Sequence, residues 1–224
     1  MEELLKEDKE FKKTLETLTR YGLIINVSEG EIGTRPSWEE YFMAIAIDMA
    51  SRSSCKYVNA GCVISDPSNN IIIGSGYNGA ASGFDNCLDV GCQKDALGLV
   101  YEESLNSGNC EGVHAEMNAV GNLTKRDNDK GINVTNTIFP CHTCAKNLKP
   151  YGLQKILFKG VYSTDEFEST VRYLKKGNVR VERLNMSPER WFDIGTRWLP
   201  NLKFGVWEPE ERERILEMKK KFSI

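Results

Sequence analysis

Residues 139–146 read FPCHTCAK: two cysteines one helical turn apart with a histidine between them, directly after the β-rich run NVTNTIF and after Pro140. The residues that follow, CHTCAKNLKPYG, read as a helix, so the cysteines stand at a strand-to-helix junction. Such a Cys-x-x-Cys pair serves as a redox dithiol, as half of a structural zinc site, or as half of a catalytic metal site. The pair alone does not separate these three, and the choice depends on what the rest of the chain supplies.

Working outward, strand and helix patterns alternate. HAEMNAVGNLTK reads as a helix before the junction; after it QKILFKGVY reads as a strand, DEFESTVRYLKKG as a helix and NVRVERL as a strand. Upstream, VNAGCVIS and IIIGSGY are β-rich runs separated by the turn-rich DPSNN, which predicts an antiparallel hairpin. Ser37 with Glu40 forms a capping-box pattern that opens the helix SWEEYFMAIAIDMASRS, whose Trp38, Phe42, Ile45 and Met49 share one face. This alternation predicts a three-layer α/β domain with parallel crossovers.

The remaining segments are less regular. Leu4, Phe11, Leu15 and Leu18 recur at helix-like intervals in residues 1–20, an amphipathic pattern suited to capping the core or a neighbouring subunit, and the loop NVSEGEIGTRP follows. Residues 78–112 are rich in Gly, Asn, Ser and Cys, with a short helix predicted near DALGLVYEESL. A loop of that length inside a compact domain is usually functional or is held by something other than a core. From Asn185 onward Trp191, Trp198 and Trp207 suggest packing, and the mixed-charge end reads as a helix.

Composition narrows the function classes. The charged start MEELLKEDKEFKK has no apolar segment or cleavage signal, and no stretch is long and apolar enough to span a membrane, so a cytoplasmic location is expected. In that compartment the seven cysteines are expected to be thiols or metal ligands, not disulfides. The formal charge of −3 disfavours a partner that is a long nucleic acid, because such binding draws on Lys and Arg neutralising phosphates; a small anionic ligand needs only a few local donors.

The choice at the junction comes from VHAEMNAV. His114 opens the preceding helix and Glu116 follows it, so the chain carries His-x-Glu and then Pro-Cys-x-x-Cys, the signature of zinc-dependent nucleobase deaminases. Cys141, Cys144 and His114 fill three tetrahedral positions and leave a fourth for water, as a catalytic rather than a structural zinc requires. Helix N-termini also favour thiolate over thiol. Zinc lowers the pKa of bound water so that hydroxide can attack C4 of cytosine or C6 of adenine near neutral pH. Glu116 then shuttles the proton to the ring and to the leaving amino group and is not a ligand. A thioredoxin-like dithiol would leave His114 and Glu116 without a role. His142, the rival ligand, is adjacent to Cys141 on the same turn and should point away from the site.

The wider pattern SWEEYFMAIAIDMASRSSC, AGCVIS, GSGYNGAASG, HAEMNAV and PCHTCAKNLKPYG, over roughly residues 37–184, resembles the deoxycytidylate (dCMP) deaminase family of the cytidine deaminase superfamily. The resemblance implies a three-layer α/β/α fold with a central mixed five-stranded sheet. It divides the chain into an N-terminal extension 1–34, a deaminase domain 35–184 and a C-terminal extension 185–224. It implies hydrolysis of dCMP to dUMP and ammonia for thymidylate synthesis. It places Asn78 of GYNG on the sugar, with Gly76 and Gly79 allowing close backbone approach, and it puts Ala115 and Tyr162 beside the nucleotide. Ala81 stands where relatives carry proline.

The same resemblance implies a second, structural zinc held by Cys55, Cys87, Cys92 and Cys110, with Glu111 as a substitute ligand; the alternative is four buried or free thiols. Cys62 reads as a small core residue. Family members form hexamers and are often switched by dCTP and dTTP with a magnesium ion, so a homo-oligomer with nucleotide effectors is expected. Alternative readings keep the chemistry on dCTP, a modified deoxycytidylate or a base in a polynucleotide, or make the chain a non-catalytic zinc-binding module.

Overall fold

In the computed structural model the described residues are 12–13, 15–22, 24–99, 110–124, 130–161, 167–197 and 209–221. Gly61–Ser65 forms β2 and Ile72–Tyr77 forms β3, paired antiparallel with Gly61 opposite Tyr77. Their turn is the one the sequence predicts. The Asp66 carboxylate accepts from the Ser68 backbone N–H at 2.8 Å. Asn70 takes the left-handed conformation at φ 56°, which asparagine tolerates.

Beside β2 runs β6 (Ile132–Ile138), then β7 (Leu153–Gly160), β8 (Arg180–Leu184) and, at the edge, β1 (Ile24–Val27). The sheet order is β1-β8-β7-β6-β2-β3, antiparallel at β6/β2 and β2/β3 and parallel from β6 to β1. The sheet is mixed and helices cover both of its faces, as expected, but it has six strands and not five. The sixth comes from the N-terminal segment: β1 pairs with β8 over Ile24 to Val27, which satisfies the backbone of an edge that would otherwise be open.

Helix α1 (Trp38–Ala50) carries both halves of the predicted capping box. Ser37 Oγ accepts from Glu40 N at 3.2 Å, and Glu40 Oε2 accepts from Ser37 N at 2.8 Å. Its core face differs from the predicted stripe. Phe42 is buried, but Trp38 is 47% exposed, and the fully covered positions include Met43 and Ala46. The reason is close approach: a Cβ on Gly61 would lie 1.9 Å from the Ala46 carbonyl oxygen, so Ala46 faces the sheet and Trp38 turns outward.

On the opposite face lie α2 (Ala115–Gly121), α3 (His142–Leu148) and α4 (Phe167–Lys176). The N-terminal segment is helical over 15–20 and sends Leu18, fully buried, into the main core with Leu15 packed against it. Leu4 and Phe11 lie outside the described residues. After β8, Ser187 caps α5 (Pro188–Thr196), which packs beside α1. The mixed-charge tail is helix α6 (Pro209–Lys221) as predicted, while Trp198 and Trp207 are outside the described residues. No described helix is long and apolar enough to cross a membrane.

Arg190 of α5 joins the C-terminal segment to the domain. Its Nε donates to Glu40 Oε1 at 2.6 Å and its Nη1 to Asp193 Oδ2 at 2.9 Å and to the Glu31 carbonyl at 2.7 Å, with all three charged side chains buried. Gly30 N and Gly33 N donate to Glu40 and Asp193 at 2.7 and 2.9 Å. Every formal charge in this knot therefore meets a counter-charge or a backbone dipole, the condition under which a buried ion pair is tolerated.

Candidate active site

Two helix starts build the site. His114 is the N-cap residue of α2 and Cys141 the N-cap residue of α3, which follows β6 across Phe139 and Pro140. Helix α2 is drawn against β3 because Gly76 has no side chain: a Cβ there would lie 2.4 Å from Ala119 N. Asn118 Nδ2 donates to the Tyr77 carbonyl at 2.8 Å and locks the contact. A two-stranded ladder, β4 (Gly79–Ala80) with β5 (Gly112–Val113), carries the chain from Asn78 to the residue before His114.

This scaffold gathers the ligand atoms of His114, Cys141 and Cys144 within 4.8 Å of one another, and among the described residues no other His, Cys, Asp or Glu group converges in this way. His114 Nδ1 lies 3.5 Å from Cys141 Sγ and 3.4 Å from Cys144 Sγ, and Cys144 N donates to Cys141 Sγ at 3.4 Å. The Cys144 thiol, the His114 ring and the backbone N–H of Cys144 hold the Cys141 thiol down to about 4 against the opposing effect of burial. Its hydrogen bond to Cys141, then burial and the nearby Glu116 charge, push Cys144 up. The hydrogen bond that the His114 ring makes to Cys141 raises the affinity of His114 for its proton. Two sulfurs and one imidazole nitrogen at these separations suit a tetrahedral zinc with an open fourth position. His142 turns away, as expected, its ring edge-on to Tyr173 at 5.5 Å between centroids.

Glu116 lies in the first turn of α2, buried, and burial pushes its carboxyl above the ordinary range. Asn136 of β6, 2% exposed, donates from Nδ2 to Glu116 Oε1 at 3.2 Å. All of these residues border a cavity of about 440 Å³ that Asn78, Gly79 and Ala115 also line. Asn78 directs both ends of its amide to the backbone of 58–60, Oδ1 accepting from Ala60 N at 2.7 Å and Nδ2 donating to the Val58 carbonyl at 2.8 Å. Gly76 faces α2 and not the cavity. Tyr162 lies outside the described residues.

Cys55, Cys87, Cys92 and Cys110 border the same cavity. Burial and then Cys92, Cys55 and Cys110 push the Cys87 thiol up, so the four are electrostatic neighbours, although their sulfurs do not gather as tightly as the first trio. The predicted helix near DALGLVYEESL is a single turn, Gln93–Ala96, and 100–109 are outside the described residues. Asp95 anchors that turn to Lys56 Nζ at 2.6 Å and to the Tyr57 hydroxyl. Cys62 is fully buried in the core, as predicted, and burial raises its thiol well above the usual value.

Sequence reasoning missed Asn136 and Lys94, a lysine 4% exposed on the cavity wall. Asn136 had a signal, a polar residue in register with Ile132 and Val134 on the buried face of a strand; Lys94, in an irregular loop, had none.

The family model described as the cytidine and deoxycytidylate deaminase zinc-binding region matches residues 36–159, more than half of the chain. Deoxycytidylate deaminase of Saccharomyces cerevisiae is 30% identical over 155 residues, covering 69% of this chain and 47% of that protein, so the chain spans about half the length of that relative. The human deoxycytidylate deaminase is 34% identical over 140 residues, covering 61% of this chain and 72% of the human one. A crystal structure of dCMP deaminase from the cyanophage S-TIM5 in complex with dCMP and dUMP superposes with a TM-score of 0.51 at 26% identity, covering 67% of this chain and 98% of the phage protein. The chain belongs to the cytidine and deoxycytidylate deaminase family.

Proposed function

We propose that the chain hydrolyses dCMP to dUMP and ammonia and so supplies the precursor of thymidylate. The observation that carries this reading is the convergence of His114 Nδ1 and the sulfurs of Cys141 and Cys144 beside buried Glu116, on the wall of a cavity of about 440 Å³. His114, Cys141 and Cys144 would hold the zinc ion, which when bound supplies the Lewis acidity that lets water ionise near neutral pH. Glu116 accepts a proton from the attacking water and gives it to N3 of the cytosine ring, then takes the second proton from the hydroxyl now on C4 and delivers it to the departing amine. The water oxygen becomes bonded to C4, the C4–N4 bond breaks, and ammonia leaves.

Asn78, Gly79 and Ala115 form the nucleotide wall, and Lys94 supplies a positive charge there that suits a phosphorylated substrate. Residues 35–184 carry this chemistry. Cys55, Cys87, Cys92 and Cys110 hold a second, structural zinc that orders the segment between Asn78 and His114; magnesium-dependent control by dCTP and dTTP in a homohexamer completes the reading.

The test is ammonia release by zinc-loaded protein from dCMP, dCTP, deoxycytidine and a short single-stranded DNA in parallel, with zinc per chain measured by elemental analysis. Preference for dCMP is expected, with two zinc ions per chain and one in Cys87→Ser. Turnover of none of the four, with and without dCTP and magnesium, would overturn the assignment.

A further inference from the structure

Asn136 stands in an apolar row. Its neighbours across the sheet are Cys62 on β2 and Phe158 on β7, and Val134 precedes it on the same face of β6; all three are fully buried. An aliphatic side chain would suit such a position. The amide instead makes one hydrogen bond, from Nδ2 to Glu116 Oε1 at 3.2 Å, and its Oδ1 is buried with no partner. Reversing the amide would set two oxygens against each other, so the bond to Glu116 fixes the orientation that orphans Oδ1. An unpaired buried carbonyl destabilises the fold, and what the residue contributes must lie at the other end of the amide.

We propose that Asn136 is a positioning residue for the reaction. It holds one oxygen of the Glu116 carboxylate, so that rotation about the Cγ–Cδ bond no longer exchanges the two and the other oxygen is presented to the proton it must move. Nothing else on the face of β6 could do this, because the flanking positions Val134 and Ile138 carry no donor. The inference rests on Glu116 being the proton carrier, and it adds a residue outside the zinc-ligand set. The Glu116 side chain projects from α2 and Asn136 from the sheet, so the bond also ties the helix that bears His114 to the strand that leads to Cys141.

The test is Asn136→Leu, close in shape and without a donor, assayed in the zinc-loaded protein. Turnover should fall about 10- to 100-fold, the loss that follows from misplacing a reacting group by a fraction of an ångström to an ångström. KM should stay within twofold, zinc per chain should be unchanged, and the melting temperature should hold or rise because the orphaned carbonyl is gone. Glu116→Asp draws the carboxylate off Asn136 while keeping a base, so adding Asn136→Leu to it should bring little further loss. Should Asn136→Leu not fold, Asn136→Val, which also removes the donor without adding charge, is read in the same way. Full turnover in these variants, an equal loss in both backgrounds, or a loss that tracks zinc or melting temperature would overturn the positioning role. A wild-type chain without turnover would instead break the functional reading of the whole site.

Discussion

Two clusters of ionisable groups lie on opposite faces of the same sheet, and they are built by opposite rules. In the Arg190 knot every charge is answered: Arg190 by Glu40, Asp193 and backbone carbonyls, and the two carboxylates by Arg190 and by backbone N–H groups. Around His114 the account stays open. The Cys141 thiol is held low while Cys144 is pushed up, Glu116 is pushed toward its neutral form by burial, and Asn136 keeps an unpaired carbonyl. A cluster whose charges are all answered is tolerated in the core, whereas perturbed proton affinities of the second kind gather at functional sites. The Glu40 and Glu116 side chains illustrate this: both are buried glutamates in the first turn of a helix, yet one is held low and the other high.

The contrast is sharpest under deletion. Glu116→Ala should lower kcat by about 10²- to 10⁴-fold, the usual contribution of a positioned proton carrier. It should keep its zinc, and its melting temperature should hold or rise because a buried, poorly compensated carboxyl has been removed. Comparable residual turnover would end the role given to it. Arg190→Met should do the reverse: leaving Glu40 and Asp193 buried without their cation costs about 3–5 kcal/mol in denaturant unfolding, while kcat of the folded fraction stays near wild type. A variant that loses kcat without losing stability would show that the knot belongs to the site after all.

Acid separates the two clusters more gently. Burial alone would raise the Glu40 carboxyl, but the Arg190 guanidinium and the backbone N–H groups of Ser37 and Gly30 outweigh it and hold it at about 2, below the ordinary 4.5. A carboxyl whose folded value is depressed stabilises the fold above its unfolded value, and that stabilisation fades as pH falls from about 4.5 towards 2. Glu40 should therefore contribute about 3 kcal/mol at neutral pH that is gone near pH 2. Unfolding free energies measured from pH 6 down to pH 2.5 should show this slope, and Glu40→Gln should flatten it.

What was legible in the sequence follows from how local its cause is. The hairpin, the helix caps and the His114, Cys141 and Cys144 trio depend on residues close in sequence or on one strand-to-helix junction repeated twice, and all are found as read. Strand β1 was missed because four residues, IINV, have no partner nearby; they become a strand only against the distant β8, where Ile24 pairs with Val181. The outward turn of Trp38 was missed because it depends on how closely Gly61 lets α1 approach the sheet. Arg190 looks like a surface residue on a polar helix until the loop 30–34 and Glu40 close around it.

The smallest effect tests whether Glu40 serves two structures or one. Its Oε2 completes the capping box by accepting from Ser37 N, while its Oε1 accepts from Gly30 N and Arg190 Nε. Ser37→Ala removes only the reciprocal half, the bond from Glu40 N to Ser37 Oγ, so the ionic knot keeps all its partners. The loss should be about 1 kcal/mol, the usual weight of an N-cap side chain. The acid slope set by Glu40 should persist unchanged in this variant, because the donors that depress the carboxyl remain. If the slope collapsed together with the cap, the helix start and the Arg190 knot would be one cooperative unit, and the edge of the sheet bearing β1 and α5 would owe its attachment to a single serine.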